Sequence, residues 1–147
     1  MRVSTKIRYG LRAMLDIAEN ENKGSVLVRS IALRQAISKK YLDNLLVSLK
    51  NAGLLRSVRG AKGGYSLAKP ASKITVADIA MALEGPPNLI DCIVDSSVCP
   101  RIATCPTSEF WREMSESLHH FMEMTTLEYL VQRGAEKQNK AASMYYL

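Results

Sequence analysis

Three cysteines, Cys92, Cys99 and Cys105, fall within fourteen residues in the pattern C-x6-C-x5-C. Thiolates are soft ligands, and three on one flexible stretch suit an iron–sulfur cluster or another thiophilic metal. Structural zinc usually recruits a tight C-x2–4-C pair, which is absent here. Redox thiols acting through disulfide exchange are a second reading, and buried structural cysteines the plainest. An odd number of cysteines argues against a disulfide framework. Spacing alone leaves these roles open.

A second chemistry lies upstream, in SKKYLDNLLVSLKNAGLLRSVRGAKGGYSL from Ser38 to Leu67. Leu42, Leu45, Leu46 and Leu49 stand at i, i+3, i+4 and i+7, one apolar helical stripe, opposite a mostly polar face of Lys40, Asp43, Asn44, Val47 and Ser48. Ser38 suits the helix N-cap and Gly53 its left-handed stop. Leu54 to Val58 and Tyr65 to Leu67 read as strands joined by a turn whose Gly60, Gly63 and Gly64 allow close backbone approach. Arg56, Arg59 and Lys62 surround that turn with positive charge. A helix with a polar outer face beside a basic hairpin is a winged helix-turn-helix in outline, the shape of a DNA reader. Phosphate contacts are expected from Arg2, Lys6, Lys39, Lys40 and Lys62. Base readout falls to Lys40, Asp43, Asn44 and Ser48, with Ser38 and Gly60 on the same surface and Arg59 entering the minor groove. Asp43 is the odd residue there, a carboxylate facing a polyanion, and a salt bridge to Lys39, Lys40 or Lys50 is its simplest explanation.

The elements that hold these groups follow from periodicity. A first helix from Ser4 or Thr5 carries Ile7, Leu11, Met14, Leu15 and Ala18 inward, with Arg8, Arg12 and Asp16 outward. A short strand at Val26–Val28 and a short helix from Ser30 to Gln35 lead to the reading helix. Thr75 with Asp78 approximates a capping box ahead of Val76, Ile79, Ala80 and Leu83, and Gly85-Pro86-Pro87 stops that helix. The cysteine stretch shows no helical or strand period and reads as a loop, long enough that an organising ligand is expected. A long helix then carries Trp111, Met114, Leu118, Phe121 and Met122, continuing to Leu130 along one side. Such a stripe on a small domain is expected to pair with a second copy, giving a homodimer. The expected fold is mainly α with a small β wing: a winged helix-turn-helix plus a long C-terminal dimerisation helix. Its parts are residues 1–84 for DNA binding, 85–107 for the cysteine loop, 108–131 for dimerisation and 132–147 as a flexible tail.

Charge supports a division of labour. Residues up to Thr75 hold 15 Lys/Arg against 4 Asp/Glu, and those from Val76 onward 5 against 10. A basic head for a polyanion is joined to a more acidic region. No apolar run is long enough to span a membrane, and MRVSTKIRYG lacks an export signal's apolar segment, so a cytoplasmic setting is expected. Two histidines, neither near the cysteines, and no recognised hydrolase or phosphate-loop pattern argue against an enzyme.

The opening MRVSTKIRYGLRAMLDIA, the wing SVRGAKGGYSLAKP, the helix ITVADIAMALEG and the three spaced cysteines together resemble winged-helix regulators of the IscR/NsrR type, from Met1 to about Leu130. The resemblance implies a homodimeric transcription factor bound to a double-stranded operator. It implies an iron–sulfur cluster, [2Fe-2S] or [4Fe-4S], on Cys92, Cys99 and Cys105, with the helix from Ser108 as the dimer interface. It also favours a specificity role for Asp43. The fourth ligand departs from the pattern. Where one branch has a histidine three positions after its last cysteine this chain has Ser108, and where others use a carboxylate or histidine of the partner's first helix it has Arg8 and Arg12. Asp91, Asp95, Ser108, Glu109, a small thiol or water are the remaining candidates, and His119 and His120 read as surface or interface residues.

The expected switch is the loop from Asn88 to Pro106, ordered by the cluster and loosened without it, in response to redox state, nitric oxide or iron and cluster supply. The rival is a cluster-free winged-helix repressor with redox-active cysteines or a small-molecule or protein effector. An adaptor that does not read DNA leaves the basic head unexplained.

Overall fold

Helix α1 (Thr5–Asn20) begins where the Ser4 hydroxyl accepts a hydrogen bond from the Ile7 N–H, 3.2 Å away. The structure, a computed structural model, describes residues 2–146. Around α1 gather α2 (Val28–Gln35), α3 (Lys39–Asn51), α4 (Val76–Glu84) and α7 (Leu127–Tyr145). Covered on several sides, α1 buries Gly10, Ala13, Met14 and Ile17, with Leu11, Leu15 and Ala18 packed at the edges of that stripe. The core continues through Ile31, Leu42, Leu46, Leu49, Ile74 and Ile79.

The reading helix forms as its pattern dictates. Ser38 caps α3 by accepting from the Tyr41 N–H, and Leu42, Leu45, Leu46 and Leu49 are its buried residues. Gly53, at φ 77°, turns the chain into a two-stranded antiparallel wing, β1 (Leu55–Val58) against β2 (Gly64–Leu67), with Leu55 opposite Leu67 and Val58 opposite Gly64. The strand expected at Val26–Val28 shrinks to a bridge: Val26 and Tyr65 exchange two backbone hydrogen bonds of 2.8 and 2.9 Å, and α2 already starts at Val28. Gly64 lies against that bridge, where a Cβ would come within 2.2 Å of the Val26 carbonyl oxygen. Both halves of the Thr75–Asp78 capping box form, and Gly85 at φ 83° ends α4.

Asp16 corrects the sequence expectation that it faces outward. It is 1% exposed, and its carboxylate accepts from Arg34 Nε at 2.9 Å, Arg34 Nη2 at 2.6 Å and Gln35 Nε2 at 2.9 Å. Arg12 donates to the side chain and the backbone carbonyl of the same Gln35. The last turn of α2 is thereby fastened to α1 just ahead of Ala36, whose left-handed φ of 52° makes the helix-turn-helix corner. A forked guanidinium is what a buried carboxylate needs, since both oxygens lose water.

The C-terminal half differs more. The cysteine stretch contains one helical turn, α5 (Asp91–Val94), and two 3-10 turns, Ser96–Val98 and Ile102–Thr104. The helix read as 108–131 is two helices, α6 (Ser108–Met124) and α7, broken at Thr125 and Thr126. Thr125 is extended, and its carbonyl accepts from the Val76 N–H at 2.9 Å. The Leu127 N–H donates to the Ile74 carbonyl at 2.8 Å, and the Thr126 hydroxyl caps α7 by accepting from the Tyr129 N–H. Leu127 itself is fully buried. The tail expected to be loose, 132–147, is helical through Tyr145, because its Ala, Glu, Lys and Gln residues propagate a helix already nucleated at Thr126.

Two stability measurements follow. Leu127→Ala is expected to lower the unfolding free energy by about 2–5 kcal/mol in denaturant titrations, since it empties a buried site at the junction. Arg34→Ala leaves the Asp16 carboxylate buried without its counter-charge and is expected to cost about 3 kcal/mol in the same assay. Arg34→Ala matching the unmodified protein would show that the pair does not hold the corner.

Candidate nucleic-acid interface and cysteine loop

The outer face of α3 presents Lys40 and Asn44 to solvent, with Val47 exposed one turn further on and Ser48 half-buried. Lys39 Nζ lies 2.9 Å from Asp43 Oδ2, one turn on, so the carboxylate has the lysine partner that its simplest reading required. An exposed pair of this kind contributes only about 0.3–0.5 kcal/mol, so Asp43 is free to exchange the lysine for a base-edge donor. Ser38 is exposed, with its hydroxyl oxygen engaged in the cap.

Beside α3 the wing exposes Arg59, Gly60 and Lys62. The Ser25 hydroxyl donates to the Lys62 carbonyl at 2.8 Å, so the returning arm of the turn is tied to the same segment that bridges to Tyr65. Arg56 is less free than its sequence position suggests, because its guanidinium donates to the Leu67 carbonyl at 3.2 Å. Arg29, exposed in the first turn of α2, adds a cation the sequence reading passed over; its nearness in the chain to the wing-bridging Val26 was the available signal. Arg2 and Lys6, both exposed, line a groove with residues of the α4–α5 connection and α6.

Cys92, Cys99 and Cys105 are all free thiols and half-exposed. Among the described residues no group of three His, Cys, Asp or Glu side chains is close enough to hold a metal. The donor chemistry nonetheless fits a thiophilic centre: three unpaired thiols occupy a loop whose cysteines are not anchored in the core. Cys105 stands before α6, with its Sγ 3.3 Å from the Thr107 hydroxyl. That hydroxyl, with the Thr107 and Ser108 backbone N–H groups, holds the thiol below its ordinary pKa and favours the thiolate a metal needs.

The candidate fourth donors sit in different settings. Asp95 Oδ1 accepts from both the N–H and the hydroxyl of Ser97, which lowers the Asp95 pKa. Ser108 is 8% exposed and donates its hydroxyl to the Cys105 carbonyl at 2.9 Å. Asp91 opens α5 and Glu109 stands in the first turn of α6, both exposed. Arg8 and Arg12 lie over the Tyr9 ring, 5.8 and 5.4 Å from its centroid, and Arg12 is also bound to Gln35. His119 pairs with Glu123 at 3.1 Å on α6, and His120 is exposed on the same helix.

On α6 the expected interface residues are present but unevenly covered. Trp111, Met114 and Met122 are half-buried, while Leu118 is 39% and Phe121 71% exposed. Phe110 and Met124, which the sequence reading missed, are 56% and 70% exposed. Phe110, Met114, Leu118, Phe121 and Met124 recur every three to four residues, one helical stripe. No helix among the described residues is long and apolar enough to cross a membrane.

Known proteins match this arrangement along most of the chain. Residues 3–133 match a family profile described as "Rrf2: Iron-dependent Transcriptional regulator". Protein rrf2 of Nitratidesulfovibrio vulgaris is 39% identical over 127 residues, covering 86% of this chain and 85% of the relative. The HTH-type transcriptional regulator CymR of Bacillus subtilis is 35% identical over 147 residues, covering 100% of both chains. Its solved structure, titled as that of the global cysteine regulator, superposes with a TM-score of 0.77 over 90% of this chain and 98% of its own. The structure of T. potens IscR has a TM-score of 0.78 at 36% identity, over 94% of this chain and 91% of its own. These relatives are transcriptional regulators rather than enzymes, and the two-stranded wing on a helical body is shared with their structures. The chain belongs to the Rrf2 family of winged-helix transcriptional regulators.

Proposed function

We propose that the chain is a homodimeric, DNA-binding regulator whose operator affinity is set by an iron–sulfur cluster on Cys92, Cys99 and Cys105. The observation that carries this reading is the placement of three free, half-exposed thiols on one loop between α4 and α6, in a chain matching a family described as iron-dependent. In this reading Lys39, Lys40 and Lys62 hold backbone phosphates, with Arg2 and Lys6 contributing from the start of α1. Asn44 and Lys40 read base edges, Asp43 selects among them once released from Lys39, and Arg59 enters the minor groove with Gly60 letting the wing approach. Ser38 fixes where α3 begins. Two copies meet through the α6 stripe of Trp111, Met114, Leu118, Phe121 and Met122, extended by Phe110 and Met124.

The bound cluster would supply a redox-reactive centre. The residues of the chain do the rest. Cys105, held toward its thiolate by Thr107, is the donor nearest α6. Cys92 lies in α5 and Cys99 follows the Ser96–Val98 turn, so drawing the three thiols together reshapes the connection between α4 and α6. Because α6 runs into the Thr125–Leu127 junction, that change reaches the reading head through a rigid seam. Asp91, Asp95, Ser108, Glu109 or an external ligand would supply the fourth donor to such a cluster and so tune its response.

A second reading has its own support. The three thiols are not brought together, and CymR, similar over the whole chain, is titled a cysteine regulator. In that reading the cysteines are redox switches, or an effector acts in place of a cluster, and the DNA face is unchanged.

Anaerobic purification with a visible spectrum and iron and sulfide analysis separates the two. Broad absorption near 400 nm, or structured bands to about 550 nm, with matching iron and sulfide is expected, and loss of colour in Cys92→Ala. A colourless, iron-free protein even after reconstitution would overturn the cluster reading and leave the cysteines as redox switches or packing residues. On a duplex selected by the protein from a random-sequence library, Asn44→Ala is expected to cost about 1–3 kcal/mol and relax specificity. Lys40→Ala should lower the salt slope by about 1. Unchanged binding in both would move the reading face away from α3.

A further inference from the structure

We propose that Ser25 is a positioning residue for DNA recognition: its hydroxyl, bonded to the Lys62 carbonyl, holds the wing tip where Arg59 can enter the minor groove. The proposal rests on the reading of Arg59 given above, and its geometry on the wing itself.

The two strands of the wing have four residues each, and a hairpin of that size is marginal alone. Its tip, Arg59 to Gly63, closes on itself through the Gly63 N–H and the Gly60 carbonyl at 2.9 Å, with Gly60 at φ 113°. A Cβ at Gly63 would lie 2.4 Å from the Val58 carbonyl oxygen, so this turn has no room to tighten. The tip carries the exposed cations Arg59 and Lys62, and nothing within the hairpin fixes its direction.

The segment ahead of α2 supplies that direction. Val26 exchanges two backbone hydrogen bonds with Tyr65, an approach that the missing Cβ of Gly64 permits. The pairing brings the preceding residue alongside the tip, and Ser25 Oγ donates to the Lys62 carbonyl at 2.8 Å. Lys62 lies two residues ahead of the first residue of β2. Among the described residues no other hydrogen bond joins the tip to the body.

This tie is made by a side chain, so it can be removed while the Val26–Tyr65 pairing stays. It also has a functional direction. Ser25 stands three residues before α2, and α2 leads through Ala36 into α3. The bond therefore sets the wing tip relative to the reading helix, which decides whether both grooves of one duplex are contacted together. Without it the tip populates other directions, and minor-groove discrimination falls with the fraction of time Arg59 is in place.

The test is competition binding of the full chain to the duplex selected from a random-sequence library. The wing's pairs are those that Arg59→Ala relaxes, and an A·T pair there is replaced by G·C or by inosine·C. For the unmodified protein G·C is expected to cost about tenfold, and inosine·C little, because inosine lacks the 2-amino group of guanine. In Ser25→Ala the G·C penalty is expected to fall to about twofold, with discrimination at the pairs relaxed by Asn44→Ala retained. Ser25→Thr, which keeps the donor, restores the full penalty. Ser25→Ala added to Arg59→Ala changes nothing further at the wing's pairs. A full G·C penalty in Ser25→Ala overturns the proposal and leaves Arg59 as the reader. Equal loss at the Asn44 pairs, or no rescue by threonine, also overturns it. Arg59→Ala relaxing no pair overturns the groove reading and the role of Ser25 with it.

Discussion

Two backbone hydrogen bonds, Val76 N–H to Thr125 O and Leu127 N–H to Ile74 O, join the start of α4 to the break between α6 and α7. With the Thr75–Thr126 bridge they make a short antiparallel seam outside the wing. Everything C-terminal to the wing takes its position from it. Leu127 is pushed into the core of the reading head, α7 is laid back along α1, and α6 packs beside α4 with Phe110, Phe121 and Met124 exposed. A continuous helix from Ser108 to Leu130 would carry Leu127 past the core. The two extended threonines cost some helix propensity, and burial of the leucine with satisfaction of the backbone groups offsets that.

Between α1 and α2 a charged cluster is added to the apolar packing of Ile31. Asp16, Arg34, Gln35 and Arg12 fasten α2 to α1, and this sets the angle at which Ala36 delivers the chain to Ser38 and α3. Tyr9 against Tyr41, edge to face at 6.0 Å, adds a contact between α1 and the first turn of α3. Helix α1 is therefore the common member of the molecule. It holds the reading helix by a hydrogen-bonded corner and the C-terminal helices by packing, so a change at α6 and a change at α3 are both felt along it.

The cysteine loop contrasts with both. Its turns are short, its three thiols are half-exposed, and no buried hydrophobic residue comes from it. A segment with so little burial has little to resist rearrangement, which suits a part of the molecule that must respond to a ligand. Thr107 at the start of α6 is the point where the loop meets rigid structure, and the thiol it touches is the one whose ionisation is eased.

The helices α1, α3 and α4, the wing and their caps were legible in the sequence because their signals are local, whereas α2 starts two residues ahead of its expected Ser30. Ser4, Ser38 and the Thr75–Asp78 pair bond within three residues, Gly53 and Gly85 supply the positive φ their turns require, and the leucine stripe of α3 needs only its own periodicity. The basic head, the cysteine triplet and the regulator family were legible for the same reason, being properties of residue type and spacing. Tertiary structure alone decided the break at Thr125–Thr126 and the burial of Asp16. In each case the deciding partner lies far away in sequence: Ile74 and Val76 for the threonines, and Arg34 and Gln35 for Asp16. An apolar period that runs unbroken through 125–127 carries no trace of those backbone bonds, and an acid among arginines reads as solvated until a fork closes over it.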